Sequence, residues 1–481
     1  MALDYAKLGL KSGVEIHQQL DTHKLFCSCQ SELRNDNPDI IVKRRIYPVA
    51  GETGKVDVAA AYEAERKRVF VYEAYSDSTC EIELDEAPPL PINEEALKIA
   101  LQIALLLNAK PLETIQVMRK TVVDGSNTSG FQRTLLLARD GYIETASGKI
   151  NIPVICLEED AARIVSQSDG SITFRLDRLG IPLVEIATAP EIKTPEQAKE
   201  VALKIGKVLR ACKVKRRIGT IRQDVNLSIA GGARTEIKGV QEPELIAKTI
   251  EKEVERQLEL IKQKKPVERT VRKANPDGSA AFLRPLPGAA RMYPETDLPL
   301  VKITPELIKE INSSLPKLHE DIIEELRASG ISDEYANILL KEKKIQLLRR
   351  LEKFASAALI AKVLALYPKE ISSHEKIPVH ETEQKLTEEI LEKTFNALKQ
   401  KKIAESSIKL LLTDIAKGKH FENALESYKL LSKNELEAEL KKLIKEKKDL
   451  SINALMGLAM SKLKGKAEAR EIAELLKKLI E

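Results

Sequence analysis

Thr220–Val240, TIRQDVNLSIAGGARTEIKGV, holds two alternating segments joined across a pair of glycines. Arg222, Asp224, Asn226 and Ser228 alternate with Ile221, Val225, Leu227 and Ile229. After Ala230-Gly231-Gly232, the polar residues Arg234, Glu236 and Lys238 alternate with Thr235 and Ile237. A period of two is the signature of a strand with one face toward a core, and the glycine pair is a hairpin signal. Parity fixes the register. A two-residue loop would set Asn226 opposite Ile237 and mix polar with apolar on each face. A three-residue loop pairs Ser228 with Arg234, Asn226 with Glu236 and Asp224 with Lys238, which gathers both polar rows on one face. That face suits a metal–nucleotide site, with carboxylates for Mg2+ and with Arg and Lys side chains for phosphate. An exposed lattice of structural ion pairs would use the same residues.

Two more stretches carry the same kind of pattern. In LKSGVEIHQQL (Leu10–Leu20), Glu15, His17 and Gln19 alternate with Val14, Ile16 and Leu20. Glu15 and His17 therefore project together, where they can hold a divalent cation or share a proton, or simply form a pair facing solvent. KINIPVICL (Lys149–Leu157) ends on Glu158-Glu159-Asp160. Alternation puts Glu158 and Asp160 on one face and Glu159 on the other, and leaves open which faces inward.

The 481 residues contain 43% hydrophobic side chains, enough for two to four cores. No uninterrupted apolar run reaches the length of a membrane span, and the N-terminus lacks the apolar stretch of a secretion signal, so no membrane partner is expected. Five scattered cysteines argue against a disulfide framework and for the cytoplasm. The net charge of +5 is uneven, with a mild lysine excess in the last hundred or so residues. That suits an anionic partner such as RNA or a solvated helical face.

Strand-like runs (RVFVYEAY, SITFRL, IPLVEIAT) dominate up to about residue 300, with helical patterns at Asn93–Ala109, Pro195–Cys212 and Glu242–Lys264. Beyond residue 304 the apolar spacing is helical throughout. A proline-bearing joint is expected at Tyr367–Glu381, so the domains are read as 1–303, 304–374 and 375–481. The class is α+β, a mixed body with an antiparallel sheet followed by two all-α domains.

MRKTVVDGSNTSGFQRT (Met118–Thr134) concentrates hydroxyls and glycines with Arg119, Lys120, Ser126 and Arg133. It reads as a loop able to cradle phosphate on backbone N–H groups, although it is not a Walker A motif. RPLPGAARMYPETDLP (Arg284–Pro299), with Arg291, Tyr293, Glu295 and Asp297, reads as an ordered loop or strap. Cys27-Ser28-Cys29 supplies two thiols, and neither Cys nor His occurs in the following DIIVKRRIYPVAGETG, so these cysteines are read as unligated. No amidase or asparaginase motif is present.

Taken together, GVEIHQQL, DSTCEIELDEAPP, MRKTVVDGSNTSGFQRT, LEEDAAR, RLGIPLVEIATAPEI, GTIRQDVNLSIAGG, RTEIKGVQ and PLPGAARMYPETDLP resemble the GatB/GatE family of tRNA-dependent amidotransferases. They are collinear from about residue 13 to about residue 300. Several are nearer the archaeal GatE branch, and the later segments resemble a helical domain and a YqeY-like tail. The resemblance implies a cradle-shaped catalytic body that uses ATP and Mg2+ to phosphorylate the γ-carboxylate of Glu-tRNA(Gln). Ammonia from an asparaginase-like partner, GatD, then gives Gln-tRNA(Gln). It implies a heterodimer or a dimer of heterodimers. It also implies Glu15, His17, Glu159, Asp224 and Glu236 as metal ligands, with Glu158 the alternative to Glu159. Arg222 and Lys238 would then act on phosphate, and Arg119, Lys120, Ser126 and Arg133 would bind nucleotide. A GatB of a bacterial-type complex and a non-catalytic tRNA-binding adaptor are the competing readings. One departure stands out. The GatE branch carries an inserted domain resembling part of aspartyl-tRNA synthetase, whereas here QLELIKQKK runs almost directly into PVERTVRKANPDG, with no room at Lys264–Val267.

Overall fold

A computed structural model describes residues 3–480 except 46, 48–49, 51–53, 57, 123, 169, 287–291, 448–451, 464 and 468. Arg291 and Lys464 therefore lie outside the described residues. The chain divides into two compact units, Met1–Leu318 and His319–Glu481.

Among the described residues, the first unit is built on an eleven-stranded sheet. Its main strands, in chain order, are β1 (Lys11–Gln19), β2 (Val117–Thr121), β3 (Phe131–Thr145), β4 (Gly148–Glu159), β5 (Pro182–Ala187), β6 (Ile221–Ser228), β7 (Thr235–Lys238), β8 (Thr270–Ala274), β9 (Ala280–Pro285) and β10 (Met292–Pro294). They lie in the order β9-β8-β7-β6-β1-β5-β4-β3-β2-β10 and pair antiparallel except for β7 with β8. The β6–β7 hairpin sets Asn226 opposite Glu236, the register that parity requires. Gly231 takes φ +74° in its loop, a conformation that favours glycine.

One face of the sheet is apolar. Ile16, Leu135, Ile155, Leu157, Val225 and Ile237 are fully buried in one core cluster with α1 (Glu94–Leu106), α2 (Pro195–Ala211) and α3 (Pro243–Lys262). These helices start where the sequence signals them. Asn93 accepts from the Ala96 amide and Thr194 from the Gln197 amide, and Pro195 and Pro243 occupy first-turn positions. A second, four-stranded sheet (Ile40–Arg44, Val69–Ala74, Ser171–Arg175, Arg163–Gln167) has its own core around Phe70, Tyr72 and Phe174.

Three expectations need correction. The structural division falls after Leu318, not at 303, because α4 (Pro305–Ser313) buries Ile311 in the core of the first unit. Residue 374 does not separate two bodies. Tyr367–Glu375 and Val379–Lys385 are both helices, and residues on either side, Ile371 and Phe395 among them, share one core cluster. Pro368 is tolerated there because it stands in a first turn, where no helix hydrogen bond is lost. The second cluster of this all-helical unit begins only with the capped helix Lys433–Glu446. The proline-rich stretch Arg284–Pro299 is also partly regular, since Met292–Pro294 pairs with β2 at the sheet edge.

α3 ends at Lys262 and β8 starts at Thr270, so the connection at Lys264–Val267 is short. No described helix is long and apolar enough to cross a membrane.

Candidate active site

The ladder carries parity from strand to strand. Glu15 stands opposite Asp224, and His17 stands between Arg222 on β6 and Glu185 on β5. Glu185 faces Cys156 on β4, Glu158 faces Thr134 on β3, and Lys120 on β2 faces Gln132. With Glu236 and Lys238 on β7, one polar face therefore runs across seven strands, β1 to β7. It lines a cavity of about 700 Å³ whose walls include Glu15, His17, Lys120, Glu158, Glu185, Arg222, Asp224, Glu236 and Lys238.

Acids and bases interlock within it. His17 Nε2 lies 3.4 Å from Glu15 and 3.4 Å from Glu185. Lys120 Nζ donates to Glu158 at 2.8 Å and lies 3.5 Å from Glu185. Lys238 Nζ reaches Asp224 at 3.0 Å and Glu236 at 2.8 Å. Gly239, at φ +81°, donates its amide to Asp224 at 2.9 Å. Arg222 donates to Asp160 at 2.7 Å, and Gln19 donates to the other Asp160 oxygen at 2.6 Å.

Burial and crowding set the charges. Burial and the neighbouring Glu185 charge push Glu158 up to about 8 and Glu15 up to about 7. Burial would push Glu185 up as well, but Glu158, Lys120 and His17 together hold it well below the usual carboxylate range. Burial would lower His17, yet Glu185, Glu15 and Glu158 outweigh it and raise the imidazole to about 9. Such concentrated perturbation is characteristic of sites that do chemistry.

A cation fits this arrangement. His17, Glu158 and Glu185 each offer a ligand atom within 4.8 Å of the others, and so do Glu15, His17 and Asp224. Glu158 Oε1 is buried with no hydrogen-bond donor among the described residues. A buried carboxylate oxygen without a donor is costly unless a cation or a proton satisfies it.

Of the residues expected from sequence, Glu15, His17, Lys120, Arg222, Asp224, Glu236 and Lys238 converge on the cavity, together with Glu158. Arg119, Arg133, Ser126 and Glu159 do not line it. Glu159 is odd-numbered on a strand whose even positions face the cavity, so it points to the opposite side. It lies there 3.5 Å from Arg133, and Arg133 Nε donates to Glu295 at 2.9 Å. Arg119 contacts Glu295 and lies 3.2 Å from Asp297. The guanidinium of Arg119 lies 4.6 Å from the centre of the Phe131 ring. Ser126 Oγ donates to Asp124 at 2.6 Å within its own loop.

Glu185 and Cys156 are the members that sequence reasoning did not single out. The signal for Glu185 was a lone acid in PLVEIA, since an unpaired carboxylate in an apolar strand demands a partner.

A ligand-sized, carboxylate-rich cavity on one face of a mixed sheet, with cations at its rim, has the character of an enzyme's active site. The sequence signature of the GatB/GatE catalytic domain matches residues 10–309, and that of the GatB domain matches residues 342–480. The chain belongs to the GatB/GatE family. It is 38% identical to the GatE component of the glutamyl-tRNA(Gln) amidotransferase of Methanocaldococcus jannaschii, with 99% of each chain covered. Identity to the GatE of Thermococcus sibiricus is 34% with 99% of each covered, and to that of Pyrococcus furiosus 35% over 86% of this chain and 87% of the relative. The first alignment extends over 630 positions against 481 residues here, so that relative carries sequence this chain lacks.

Proposed function

We propose that this chain is the carboxyl-activating, tRNA-handling component of an archaeal-type glutamyl-tRNA(Gln) amidotransferase. It phosphorylates the γ-carboxylate of glutamate esterified to tRNA(Gln) with ATP, and ammonia then displaces phosphate to leave Gln-tRNA(Gln). The observation that carries the reading is the cavity face, in a chain that aligns end to end with archaeal GatE. Phosphoryl transfer needs positioned positive charge more than a covalent nucleophile, and the cavity is lined by acids and cations.

His17, Glu158 and Glu185, with Glu15 and Asp224 beside them, would hold Mg2+. When bound, that ion would offset charge on phosphoryl oxygens. The protein's own groups do the rest. Lys120 bridges Glu158 and Glu185 and keeps these carboxylates oriented. Lys238 and the Gly239 amide fix Asp224, and Lys238 remains cationic at the cavity wall, where it can face phosphate or the substrate carboxylate. Arg222, anchored on Asp160, fixes a second positive charge beside it.

The ammonia would come from an asparaginase-like partner protein. The test is phosphate release from ATP by this chain with Glu-tRNA(Gln) and no amide donor. Phosphate should appear only with the charged tRNA, and free ammonium should convert the product to Gln-tRNA(Gln). Phosphate release indifferent to aminoacylation, or none at all, would leave the chain a tRNA-binding adaptor.

A further inference from the structure

The polar face does not end at the cavity. Gln19 follows His17 by two positions on β1 and so projects from the same side, where it lines a second, smaller pocket of about 240 Å³. Lys215, Arg216 and Arg217, from the segment between α2 and β6, form another wall, and Ser31 lines the pocket from the loop after β1. Gln19 Nε2 donates to Asp160, which lines the cavity, so the two pockets are neighbours across one side-chain contact.

Backbone hydrogen bonds build the cationic wall. The Gln19 amide donates to the Thr220 carbonyl at 2.9 Å, and the Lys215 amide donates to the Gln19 carbonyl at 3.0 Å. The Gln18 side chain donates to the Lys215 carbonyl at 3.0 Å, and the Thr220 hydroxyl donates to the Arg217 carbonyl at 2.7 Å. Lys215 Nζ donates to the Ser31 carbonyl, which ties this segment to the loop after β1. Residues 215–220 thus form a closed loop, with Gly219 at φ +84°. Arg216, Arg217 and Ile218 are held outward on it, and Ile218 is fully exposed.

Neighbouring side chains do not account for this wall. Among the described residues neither Arg216 nor Arg217 forms an ion pair with a carboxylate, and Arg216 finds the Arg210 carbonyl at 2.7 Å. Asp21 and Glu32 also line the pocket but are outnumbered by its cations. Ser31 Oγ and Gln19 Oε1 are buried without a hydrogen-bond partner among the described residues. Asp160 fixes the Gln19 amide with Nε2 toward it, so Oε1 is left as an acceptor. Buried polar atoms in that condition are costly unless something that enters the pocket satisfies them.

We propose that this pocket binds the sugar–phosphate backbone of the single-stranded 3′ end of the RNA substrate, next to the point where the aminoacylated nucleotide enters the cavity. The inference rests on the reading of Glu-tRNA(Gln) as substrate. Charge selects a polyanion, because guanidinium groups present paired N–H donors to phosphate oxygens. The Gln19 acceptor and the Ser31 hydroxyl suit a ribose 2′-hydroxyl, which both donates and accepts. Size selects part of a polymer, since pockets that enclose a whole small ligand measure about 300–1,000 Å³. Position selects the 3′ end. The glutamyl ester must reach the cavity, and the strand that carries it must leave across an edge. Gln19 and Asp160 mark the edge at which the cations stand. Ile218 there gives an unstacked base an apolar surface to cover.

Arg216→Ala combined with Arg217→Ala changes two exposed side chains and should keep the fold. Filter binding across a salt series should compare wild type and this double variant on tRNA(Gln) with its 3′ end intact and with the unpaired 3′ nucleotides removed. Wild type should lose affinity on the order of tenfold when the end is removed. The double variant should bind intact RNA as weakly as wild type binds trimmed RNA, and trimming should not weaken it further. Its salt slope on intact RNA should be shallower by about 1.4, since each phosphate contact on a single strand contributes about 0.7. Equal losses on intact and trimmed RNA would place the cations on the duplex, and no loss on either would leave them a solvated surface. Either result would overturn the proposal. Binding is read without ATP or ammonia, so the outcome does not depend on whether the chain phosphorylates the γ-carboxylate. Failure of both proteins to bind either RNA would instead sink the RNA reading itself, and this proposal with it.

Discussion

Glu295→Gln tests what holds the edge of the sheet that carries Lys120. Glu295 is 1% exposed. Its carboxylate accepts from Arg133 Nε at 2.9 Å and from the Asp297 amide at 3.0 Å, and contacts Arg119. Glutamine keeps the shape and one acceptor but turns an NH2 group toward a guanidinium. One charge-assisted hydrogen bond is lost, worth about 1.5–3 kcal/mol, and Arg133 keeps only the longer Glu159 contact at 3.5 Å. Breaking a fully buried pair costs about 3–5 kcal/mol. Arg119 is only partly buried and can turn toward Asp297 at 3.2 Å, which reduces the loss. The expected destabilisation is therefore about 2–4 kcal/mol.

Because the chain has two units, a single global melting curve would mix them, so the readout should be local. Hydrogen exchange of the peptides spanning β2 and β3 in the full chain should speed up on the order of a hundredfold, since each 1.4 kcal/mol is about tenfold. Asp297→Asn, a half-exposed partner, should stay within about 1 kcal/mol. The pH dependence follows from direction. Burial would raise the Glu295 carboxyl, but Arg119, the Asp297 amide and Arg133 together hold it below its ordinary value. Its stabilisation is thus fully present above the unfolded value of about 4.3 and is lost as pH falls through the lower folded value. Wild type and variant should converge only in that acidic window. Exchange in both strands within about threefold of wild type at pH 7 would refute the reasoning.

Three further outcomes follow from the same geometry. Glu158→Gln should lower ATP-dependent transamidation on the order of 10²-fold or more while leaving the fold intact. Glu159→Gln should act mainly on stability, and equal kinetic losses in the two would mean that parity misassigned the inward face. Asp224→Asn and Glu236→Gln each remove an anchor of Lys238, so transamidation should collapse while filter-binding affinity for tRNA is kept; near-normal turnover in both would remove them from the site. Deleting residues beyond Tyr428 removes the last helical cluster and several lysines without cutting the preceding core. It should weaken tRNA binding and flatten its dependence on salt, and unchanged affinity across a salt series would show that RNA is recognised elsewhere.

The polar face was legible from sequence wherever the evidence was local. Alternation over Leu10–Leu20 and the parity of the Gly231–Gly232 hairpin are properties of one or two adjacent strands, and they place Glu15, His17, Asp224, Glu236 and Lys238 together. The choice between Glu158 and Glu159 was of another kind. It depends on how β4 is phased against β1 through β5, a relation between segments some 140 residues apart that no single window contains. Arg119, Lys120 and Arg133 failed as a loop motif for the same reason. They stand on β2 and β3, where neighbours point to opposite faces, so a cluster in sequence becomes one cavity cation and two members of a buried lattice. The helical half erred differently. Tyr367–Glu381 has the composition of a linker, yet Pro368 occupies a first turn and Lys376 takes the left-handed cap at φ +56°. Pro368 is a helix-compatible use of a residue that usually breaks helices, and Lys376 makes an ordinary left-handed stop. Composition reports what a residue prefers and parity reports where it points, but only strand order couples distant phases. Hence the lone acid Glu185, unremarkable in PLVEIA, comes to lie beside His17 and Glu158 at the centre of the site.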